Sequence, residues 1–279
     1  MAIGIYTNLY KDSDLAVTNG VISILDKAEI EYYIDPLLKE HYPSCKVYDD
    51  TVFPTLEMLI TVGGDGTILA VGRRCAENKV PILGVNKGTV GFMAEVEPSN
   101  LEQLVAIIKR GEYDIDERAL LCADCKGEIF YALNEAIVYR GDTKMITVDV
   151  KIENQLVDKY ACDGFIVCTP TGSTAYSLSA GGAIMSPKVN AIGLTPINSH
   201  SLHTRPIIVS GDEVVDISVC RAYEDAMLII DGVETVRIGL NEDVRFYKSD
   251  MTLCFVRLKG SNFYSALLSK LNIWGLTEN

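Results

Sequence analysis

The chain has 279 residues, of which 48% are hydrophobic, and its formal net charge is −13. This length and hydrophobic content suffice for a sizeable core in one large domain or two medium ones. The negative charge disfavours non-specific binding to DNA, RNA or anionic lipid, so we expect no nucleic-acid or membrane partner and a phosphate site that is built locally.

The first hundred or so residues alternate between strand and helix patterns. Strands are predicted at Ile3–Thr7, Leu56–Val62 and Val80–Val85. Three helices are predicted: one at Leu15–Ala28, one that follows Gly63–Thr67 and ends at about Asn78, and one at Leu101–Ile108. Such alternation is typical of a parallel sheet covered by helices. We therefore predict an α/β N-terminal domain over residues 1–118.

From Arg118 onward the pattern changes, because strand signals follow one another. Strands are predicted at Ile146–Ile152, Val215–Val219, Ala226–Ile230, Thr235–Ile238 and Leu253–Val256. We predict an all-β, sandwich-like C-terminal domain over residues 119–260, with one short helix at Ser177–Ile184. An amphipathic helix at Phe263–Leu271, within the segment 261–279, is expected to pack back on the N-terminal domain.

The beginning of the chain lacks the basic region of a signal peptide. The uncharged stretch Gly164–Pro187 is too rich in Gly, Ser, Thr and Pro for a membrane helix. A cytoplasmic location is therefore expected.

Among the eight cysteines, Cys122 and Cys125 have the spacing of zinc ligands but no second pair follows them, so we expect reduced thiols and no resident metal.

Three glycines surround an aspartate in Gly63-Gly64-Asp65-Gly66-Thr67, between a predicted strand and a predicted helix. Glycines let the backbone approach a ligand closely, and N–H groups ahead of a helix form an anion site. In a loop that only binds phosphate, a carboxylate would repel the ligand. Its presence is explained if Asp65 takes a proton from an attacking hydroxyl or holds magnesium. The alternative is a plain turn in which Asp65 bonds to nearby N–H groups.

A second candidate site is the long uncharged segment 163–182. The strand Phe165–Cys168 leads into the turn Thr169–Gly172 and then into a candidate helix, which Ser173 or Thr174 is suited to cap. The alternative is a Gly/Ser-rich surface loop, but a solvent-exposed loop of this length usually carries charges.

Within that segment, Tyr176 and Ser179 are three residues apart and share a helical face. Hydroxyls, N–H groups and one aromatic ring together suit the binding of a purine nucleoside. This segment is therefore predicted to bind a nucleoside.

A third candidate is the pair Asn134-Glu135 inside a predicted apolar strand, Tyr131–Tyr139. Adjacent residues of a strand face opposite sides, so one of the two is expected to point inward. A buried carboxylate or amide needs partners, which ribose hydroxyls would supply. The alternative is a polar pair at the end of a strand.

Taken together, these segments resemble the NAD kinase family. The resemblance spans residues 58–240 in the expected order and includes Gly63–Thr67, Asn86–Phe92, Asn134-Glu135, Lys144–Asp149, Asp163–Gly182 and Ser201–Pro206. The segment 163–182 is very specific to the family. The loop Gly63–Thr67 is less so, since diacylglycerol-type lipid kinases and phosphofructokinases look similar there.

The resemblance implies an α/β domain followed by a β-sandwich-like domain, and assembly into homodimers or homotetramers. It implies transfer of a phosphoryl group from ATP, another triphosphate or polyphosphate to the 2′-hydroxyl of the adenosine ribose of NAD, giving NADP. Asp65 would be the base that activates this hydroxyl, and Mg²⁺ or another divalent metal would bridge the donor phosphates.

By the same resemblance, the phosphate loop would consist of Gly63, Gly64, Gly66 and Thr67. Phe92 would close over the adenine, whereas Asp163 and Thr171 would contact the other half of NAD. The complete set of implied substrate-binding residues is Gly66, Phe92, Asn134, Glu135, Asp163, Thr171, Thr174, Ala175, Tyr176 and Ser179.

Three other functions share part of this pattern. A lipid kinase with the same phosphate loop would need an apolar entrance, which the net charge of −13 disfavours. A non-catalytic NAD sensor would be marked by loss of Asp65, which is present. A sugar-phosphate kinase of the phosphofructokinase kind has no support outside Gly63–Thr67.

Overall fold

A computed structural model of the chain describes residues 2–87 and 91–268. The chain divides into two compact units, a first formed by Met1–Glu117 with Leu253–Asn279 and a second formed by Arg118–Thr252. The boundary falls within two strands, β5 (Tyr113–Cys125) and β16 (Asp243–Leu258). Residues 253–260 therefore belong to the first unit and not, as their strand pattern suggested, to the β-rich one.

The first unit is an α/β structure. Its other elements are β1 (Ile3–Thr7), α1 (Ala16–Lys27), β2 (Tyr32–Ile34), β3 (Met58–Gly63), α2 (Asp65–Asn78), β4 (Ile82–Asn86) and α3 (Gln103–Arg110). The strands form a parallel sheet in the order β2-β1-β3-β4, and Phe255 of β16 continues it beside Ile82. The predicted parallel sheet with helices is confirmed.

Helices cover both faces of this sheet. One core cluster joins apolar residues of α1 and α3 to strand residues such as Ile5, Ile60 and Val85. Gly84 points to the opposite face, where a Cβ atom would contact Ile68 of α2. Burial on both faces explains why the strands of this unit are almost continuously hydrophobic.

The parallel arrangement brings three strand ends to one edge of the sheet. Thr7 pairs with Val62, and Gly63 pairs with Asn86, so β1, β3 and β4 end together. Ligands of open α/β sheets bind beyond the carboxyl ends of the strands. The loop Gly63–Thr67 lies at this edge.

The second unit is a β-sandwich. Its elements are β6 (Glu128–Ala132), β7 (Glu135–Tyr139), β8 (Ile146–Ile152), β9 (Gln155–Cys162), β10 (Gly164–Cys168), α4 (Tyr176–Ser179), β11 (Ala191–Ile197), β12 (Ile207–Ser210), β13 (Val215–Arg221), β14 (Ala226–Ile230) and β15 (Glu234–Ile238). One sheet has the order β12-β11-β10-β7-β14-β15, and the other includes β16-β13-β8-β9 with β5 and β6. The predicted all-β, sandwich-like domain is confirmed.

A large apolar core lies between these two sheets. Val148 and Ile217 from one sheet share a cluster with Val138, Phe165 and Leu228 from the other. The opposite face of the six-stranded sheet carries a smaller cluster, made of Ile137, Ile166, Cys168, Met185 and Ile197. The chain that follows β10 therefore covers this outer face.

Two local predictions about this unit are wrong. The predicted strand Tyr131–Tyr139 is interrupted, because β6 ends at Ala132 and β7 begins at Glu135. The predicted helix Ser177–Ile184 begins one residue earlier and ends at Ser179. Gly181 explains the early end, since its φ of +89° is incompatible with a continuing helix.

The predicted helix caps, Ser173 and Thr174, are also wrong. Ala175 precedes α4 and provides no side-chain cap. The Ser173 hydroxyl instead donates to the carbonyl of Pro170 at 2.7 Å, and the Thr174 hydroxyl donates to that of Thr171 at 3.2 Å. Both side chains therefore stabilise the turn that precedes the helix.

Residues 263–268 are helical, and the remainder of the C-terminal helix predicted at Phe263–Leu271 lies outside the described residues. Within the described ranges, no helix is both long and apolar enough to cross a membrane. None of the eight cysteines, all of which are described, forms a disulfide.

Candidate functional site

The glycine loop of the first unit joins β3 directly to α2. The N–H of Thr67 donates to the carbonyl of Gly64 at 2.9 Å, and the N–H of Gly64 donates to the Thr67 hydroxyl at 3.3 Å. A Cβ atom at Gly64 or Gly66 would meet no described atom within 4 Å. The loop therefore presents open backbone at the positive end of α2, which is the arrangement that binds anions.

Asp65 lies in the first turn of α2 and accepts hydrogen bonds from a second loop. The N–H of Phe92 donates to its Oδ2 at 2.9 Å, and the N–H of Met93 donates to its Oδ1 at 3.1 Å. A Cβ atom at Gly91 would overlap the Asp65 carboxylate. These contacts are not those of a simple helix-capping turn, because the donors come from the loop that follows β4.

Lys87 connects the two loops and faces a pair of carboxylates. Its backbone N–H donates to the carbonyl of Gly63 at 2.8 Å. Its ammonium lies 3.0 Å from Asp12 and 3.2 Å from Asp14, and these contacts raise the pKa of Lys87. The cation therefore stays charged at this edge of the sheet.

In the second unit, Asp231 sets the conformation of the segment before β7. Its carboxylate accepts the backbone N–H groups of Leu133 at 2.7 Å, Asn134 at 2.8 Å and Glu135 at 3.0 Å. These three donors are thereby withdrawn from a strand ladder, which explains the interruption between β6 and β7. As a result both Asn134 and Glu135 are buried, whereas strand alternation predicted that only one of them points inward.

The buried ends of Asn134 and Glu135 are incompletely satisfied. Within the described part of the chain, neither Oδ1 of Asn134 nor Oε2 of Glu135 has a hydrogen-bond partner. Burial, with a smaller contribution from the charge of Asp231, raises the pKa of Glu135 to about 8, although a backbone hydrogen bond from Tyr176 opposes this shift. At neutral pH the Glu135 carboxyl is therefore mostly protonated and able to donate a hydrogen bond.

The turn after β10 packs directly against this pair. Gly172 touches the backbone of Asn134 so closely that a Cβ atom would overlap the Asn134 carbonyl. The Thr169 hydroxyl donates to the carbonyl of Leu133 and accepts the N–H of Gly172 at 3.0 Å. The turn and the Asn134-Glu135 segment are therefore held as one site.

The residues that follow this turn are the more accessible ones. Tyr176 is 40% exposed, Ser179 is exposed, and Thr174 and Ala175 are half-buried. An aromatic face is thus accessible at Tyr176, whose backbone N–H donates to the Glu135 carboxyl, and the exposed Ser179 hydroxyl lies on the same short helix. This combination suits a ligand that has both a ring and hydroxyl groups.

Asp163 and Thr171, two other predicted substrate-binding residues, already have protein partners. The Asp163 carboxylate lies 3.3 Å from the Arg140 guanidinium and accepts a hydrogen bond from Asn198 at 3.0 Å. The buried Thr171 hydroxyl accepts a hydrogen bond from Arg118 at 3.1 Å. These contacts anchor the residue that precedes β10 and the turn that follows the strand.

Sequence patterns did not assign a role to Asp231 or Arg118. Asp231 lies in the turn between β14 and β15 and has a positive φ of 49°. Its partners lie almost a hundred residues earlier in the chain, and no local pattern reveals them.

Among the described residues, no group of three or more His, Cys, Asp or Glu side chains is arranged to hold a metal ion.

Comparison with known proteins gives consistent matches along the chain. Residues 3–113 match the family model of the ATP-NAD kinase N-terminal domain, and residues 133–258 match that of the C-terminal domain. An NAD kinase from Thermoanaerobacter sp. strain X514 is 37% identical over 96% of this chain and 98% of its own length. An NAD kinase from Methanothermobacter thermautotrophicus is 36% identical over 97% of this chain and 96% of its own length.

Two solved structures have the same fold. An NAD kinase from Archaeoglobus fulgidus in complex with ATP is 25% identical, with a TM-score of 0.78 over 98% of this chain and 99% of that one. Yeast NADH kinase complexed with NADH is 22% identical, with a TM-score of 0.86 over 100% of this chain and 89% of that one.

Proposed function

This chain belongs to the NAD kinase family, and we propose that it transfers the γ-phosphoryl group of ATP to the 2′-hydroxyl of the adenosine ribose of NAD, giving NADP and ADP. One observation carries this proposal. The buried oxygens of Asn134 and Glu135 lack partners within the described residues, although burial of unsatisfied polar atoms costs about 1–3 kcal/mol each. A bound nucleoside removes that cost by supplying hydroxyl and amino groups.

The acceptor nucleotide is held by the second unit. The neutral Glu135 carboxyl both donates and accepts, which suits a ribose hydroxyl, and the Asn134 amide oxygen accepts from an N–H or O–H group. Tyr176 offers a face for stacking on a base. Thr174, Ala175 and Ser179 complete the nucleoside contacts, and Asp163 and Thr171 act on the other half of NAD.

The donor is held by the first unit. ATP enters as its magnesium complex, and the backbone of Gly63–Thr67 with the N-terminus of α2 binds the negative phosphate oxygens. The metal ion is part of this substrate and neutralises charge on the donor phosphates. Lys87 at the same sheet edge is paired with Asp12 and Asp14, so the loop N–H groups and the metal ion provide the positive charge that attracts a triphosphate to this negatively charged chain.

Asp65 performs the proton transfer. It takes the proton of the 2′-hydroxyl as the 2′-oxygen forms its bond to the γ-phosphorus, and the bond from that phosphorus to the β,γ-bridging oxygen breaks, so that ADP leaves. Each Asp65 oxygen accepts one N–H from the loop of Phe92 and Met93. An ionised carboxylate has about four acceptor sites, which suits a group that also accepts a substrate hydroxyl.

The direct test is to mix the purified protein with NAD, ATP and magnesium chloride and to follow NADP with an NADP-specific dehydrogenase. We expect NADP to accumulate together with ADP in equal amounts. Parallel reactions replace NAD with diacylglycerol or with fructose 6-phosphate. Phosphorylation of either one without NADP formation would assign the chain to a different kinase class, and NAD binding without any transfer would identify a sensor.

A further inference from the structure

The dipeptide Phe92-Met93 lies between two charged side chains of the first unit. Its N–H groups donate to Asp65, as described above. Its carbonyls accept from Arg257: Nη1 donates to the carbonyl of Met93 at 2.8 Å, and Nη2 donates to that of Phe92 at 3.4 Å. One short stretch of backbone therefore joins the carboxylate to a guanidinium.

A single peptide group makes part of this connection. The carbonyl of Phe92, which accepts from Arg257, and the N–H of Met93, which donates to Asp65, belong to the same peptide plane. In a trans peptide these two groups point in opposite directions, so fixing the carbonyl also fixes the direction of the N–H. Donation from a cation to the carbonyl also polarises the N–H and strengthens its hydrogen bond to the carboxylate.

Arg257 itself is held from two sides. Its Nη1 lies 3.0 Å from Oε2 of Glu95, and its Nε lies 3.2 Å from Oδ2 of Asp116. The other oxygen of Glu95 accepts the backbone N–H of Leu258 at 3.1 Å. The side chain of Arg257 is only 11% exposed. A planar guanidinium that is paired in this way has one orientation, which an exposed arginine lacks.

We propose that Arg257 is a positioning residue for phosphoryl transfer, which acts through the Phe92-Met93 backbone to orient the Asp65 carboxylate, and that Glu95 holds Arg257 in place for this role. The proposal rests on the proposed function of Asp65. The surroundings of Arg257 exclude a purely electrostatic role toward phosphate, because both of its carboxylate partners and both of its carbonyl partners are provided by the protein.

The test compares Arg257→Met with a matched control on the same strand, Arg245→Met. Arg245 also forms an ion pair, with Asp216 at 2.8 Å, but it lies in the second unit and its side chain is 54% exposed. We expect Arg257→Met to lower kcat by about 10²-fold, the scale of a misplacement near 1 Å. KM for NAD should change by less than about threefold, since ground-state binding is kept. Arg245→Met should leave both constants unchanged.

A second readout does not depend on activity. Amide hydrogen exchange in peptides that cover residues 91–95 should become faster in Arg257→Met, because the N–H groups of Phe92 and Met93 lose their fixed bonds to Asp65. Arg257→Lys should recover part of kcat and part of the protection, since an ammonium donates to carbonyls but lacks the planar fork. All measurements are made below the unfolding temperature of each variant.

Unchanged exchange at 91–95 in Arg257→Met would overturn the proposal, as would equal losses of kcat in Arg257→Met and Arg245→Met. A lower unfolding temperature with an unchanged kcat would do the same, since Arg257 would then serve stability alone. If the wild-type protein makes no NADP, the proposed function fails, and the exchange experiment still decides whether Arg257 orders the loop.

Discussion

Asp231 and Glu135 are joined by two hydrogen bonds, one to the Asp231 side chain and one between their backbones. The N–H of Glu135 donates to Oδ1 of Asp231 at 3.0 Å, and the N–H of Asp231 donates to the carbonyl of Glu135 at 2.9 Å. Burial raises the pKa of both carboxyls, but the Asp231 carboxylate accepts three backbone N–H groups that oppose this shift, whereas the Glu135 carboxyl accepts one, from Tyr176. We therefore place the proton of this pair on Glu135.

This assignment predicts how stability depends on pH. The pKa of Glu135 is raised from 4.5 to about 8, so between these values the folded protein holds a proton that the unfolded chain has released. The free energy of unfolding therefore falls as pH rises through this window, by at most about 1.4 kcal/mol per pH unit from this group. Glu135→Gln lacks this titration, so its stability relative to the wild type should increase from about pH 5 to about pH 8.

Urea unfolding of the two proteins at a series of pH values measures this difference, and other titrating groups cancel because both proteins contain them. The difference should level off above about pH 8, where Glu135 is ionised in both states. A difference that stays constant across the window would show that Glu135 is already ionised in the folded protein.

Local patterns predicted the elements well where the physical cause is itself local. The strand Ile146–Ile152 was predicted with its correct bounds because its alternation of apolar and polar residues is complete within seven positions. The loop Gly63–Thr67 was placed correctly at a strand end because glycine chemistry marks such turns. The helices of the first unit and the strands of the second follow the same rule, since burial of one face imposes a short period on the sequence.

Contacts between residues far apart in the chain were not predictable in this way. Asn134 lies outside a strand because its N–H bonds to Asp231, 97 positions away. The donors to Asp65 lie 27 and 28 positions away, and Arg257 lies more than 160 positions beyond the carbonyls that it binds. No period or spacing in the sequence indicates such pairs, so the only information available for these residues was the residue type.

The role of Asp65 gives a kinetic prediction. Asp65→Asn keeps the size of the side chain but removes its charge and its ability to take a proton, so we expect turnover to fall by about 10²–10⁴-fold. NAD affinity should survive, because the proposed nucleoside contacts belong to the second unit. Steady-state kinetics and equilibrium binding of NAD separate the two effects. A fall of only a few-fold with unchanged affinity would remove Asp65 from the role of base.

Because the loop that follows β4 lies close to Asp65, the addition of a single methyl group at Gly91 should lower activity. Gly91→Ala places a Cβ atom where the Asp65 carboxylate now lies, so either the carboxylate or the loop must move. We expect kcat to fall by about 10-fold or more, since displaced catalytic groups lose rate steeply. The matched control is Gly72→Ala in α2, where a Cβ atom would lie 3.4 Å from Leu253, an ordinary packing distance. Activity of Gly91→Ala equal to that of Gly72→Ala would contradict the contact between Gly91 and Asp65.

Asp231→Asn should affect KM for NAD more than kcat, which is the reverse of the effect expected for Asp65→Asn. Asparagine has one acceptor oxygen, and its NH₂ group would face the N–H of Leu133 or those of Asn134 and Glu135 without bonding to them. An unsatisfied buried donor costs about 1–3 kcal/mol, so the segment should shift and KM for NAD should rise by about 10-fold, with a smaller change in kcat. Asp216→Asn, which alters a carboxylate paired with Arg245 on another strand of the same unit, is the control. A rise in KM for NAD that is equal in both variants would mean that Asp231 supports the fold and not the nucleoside site.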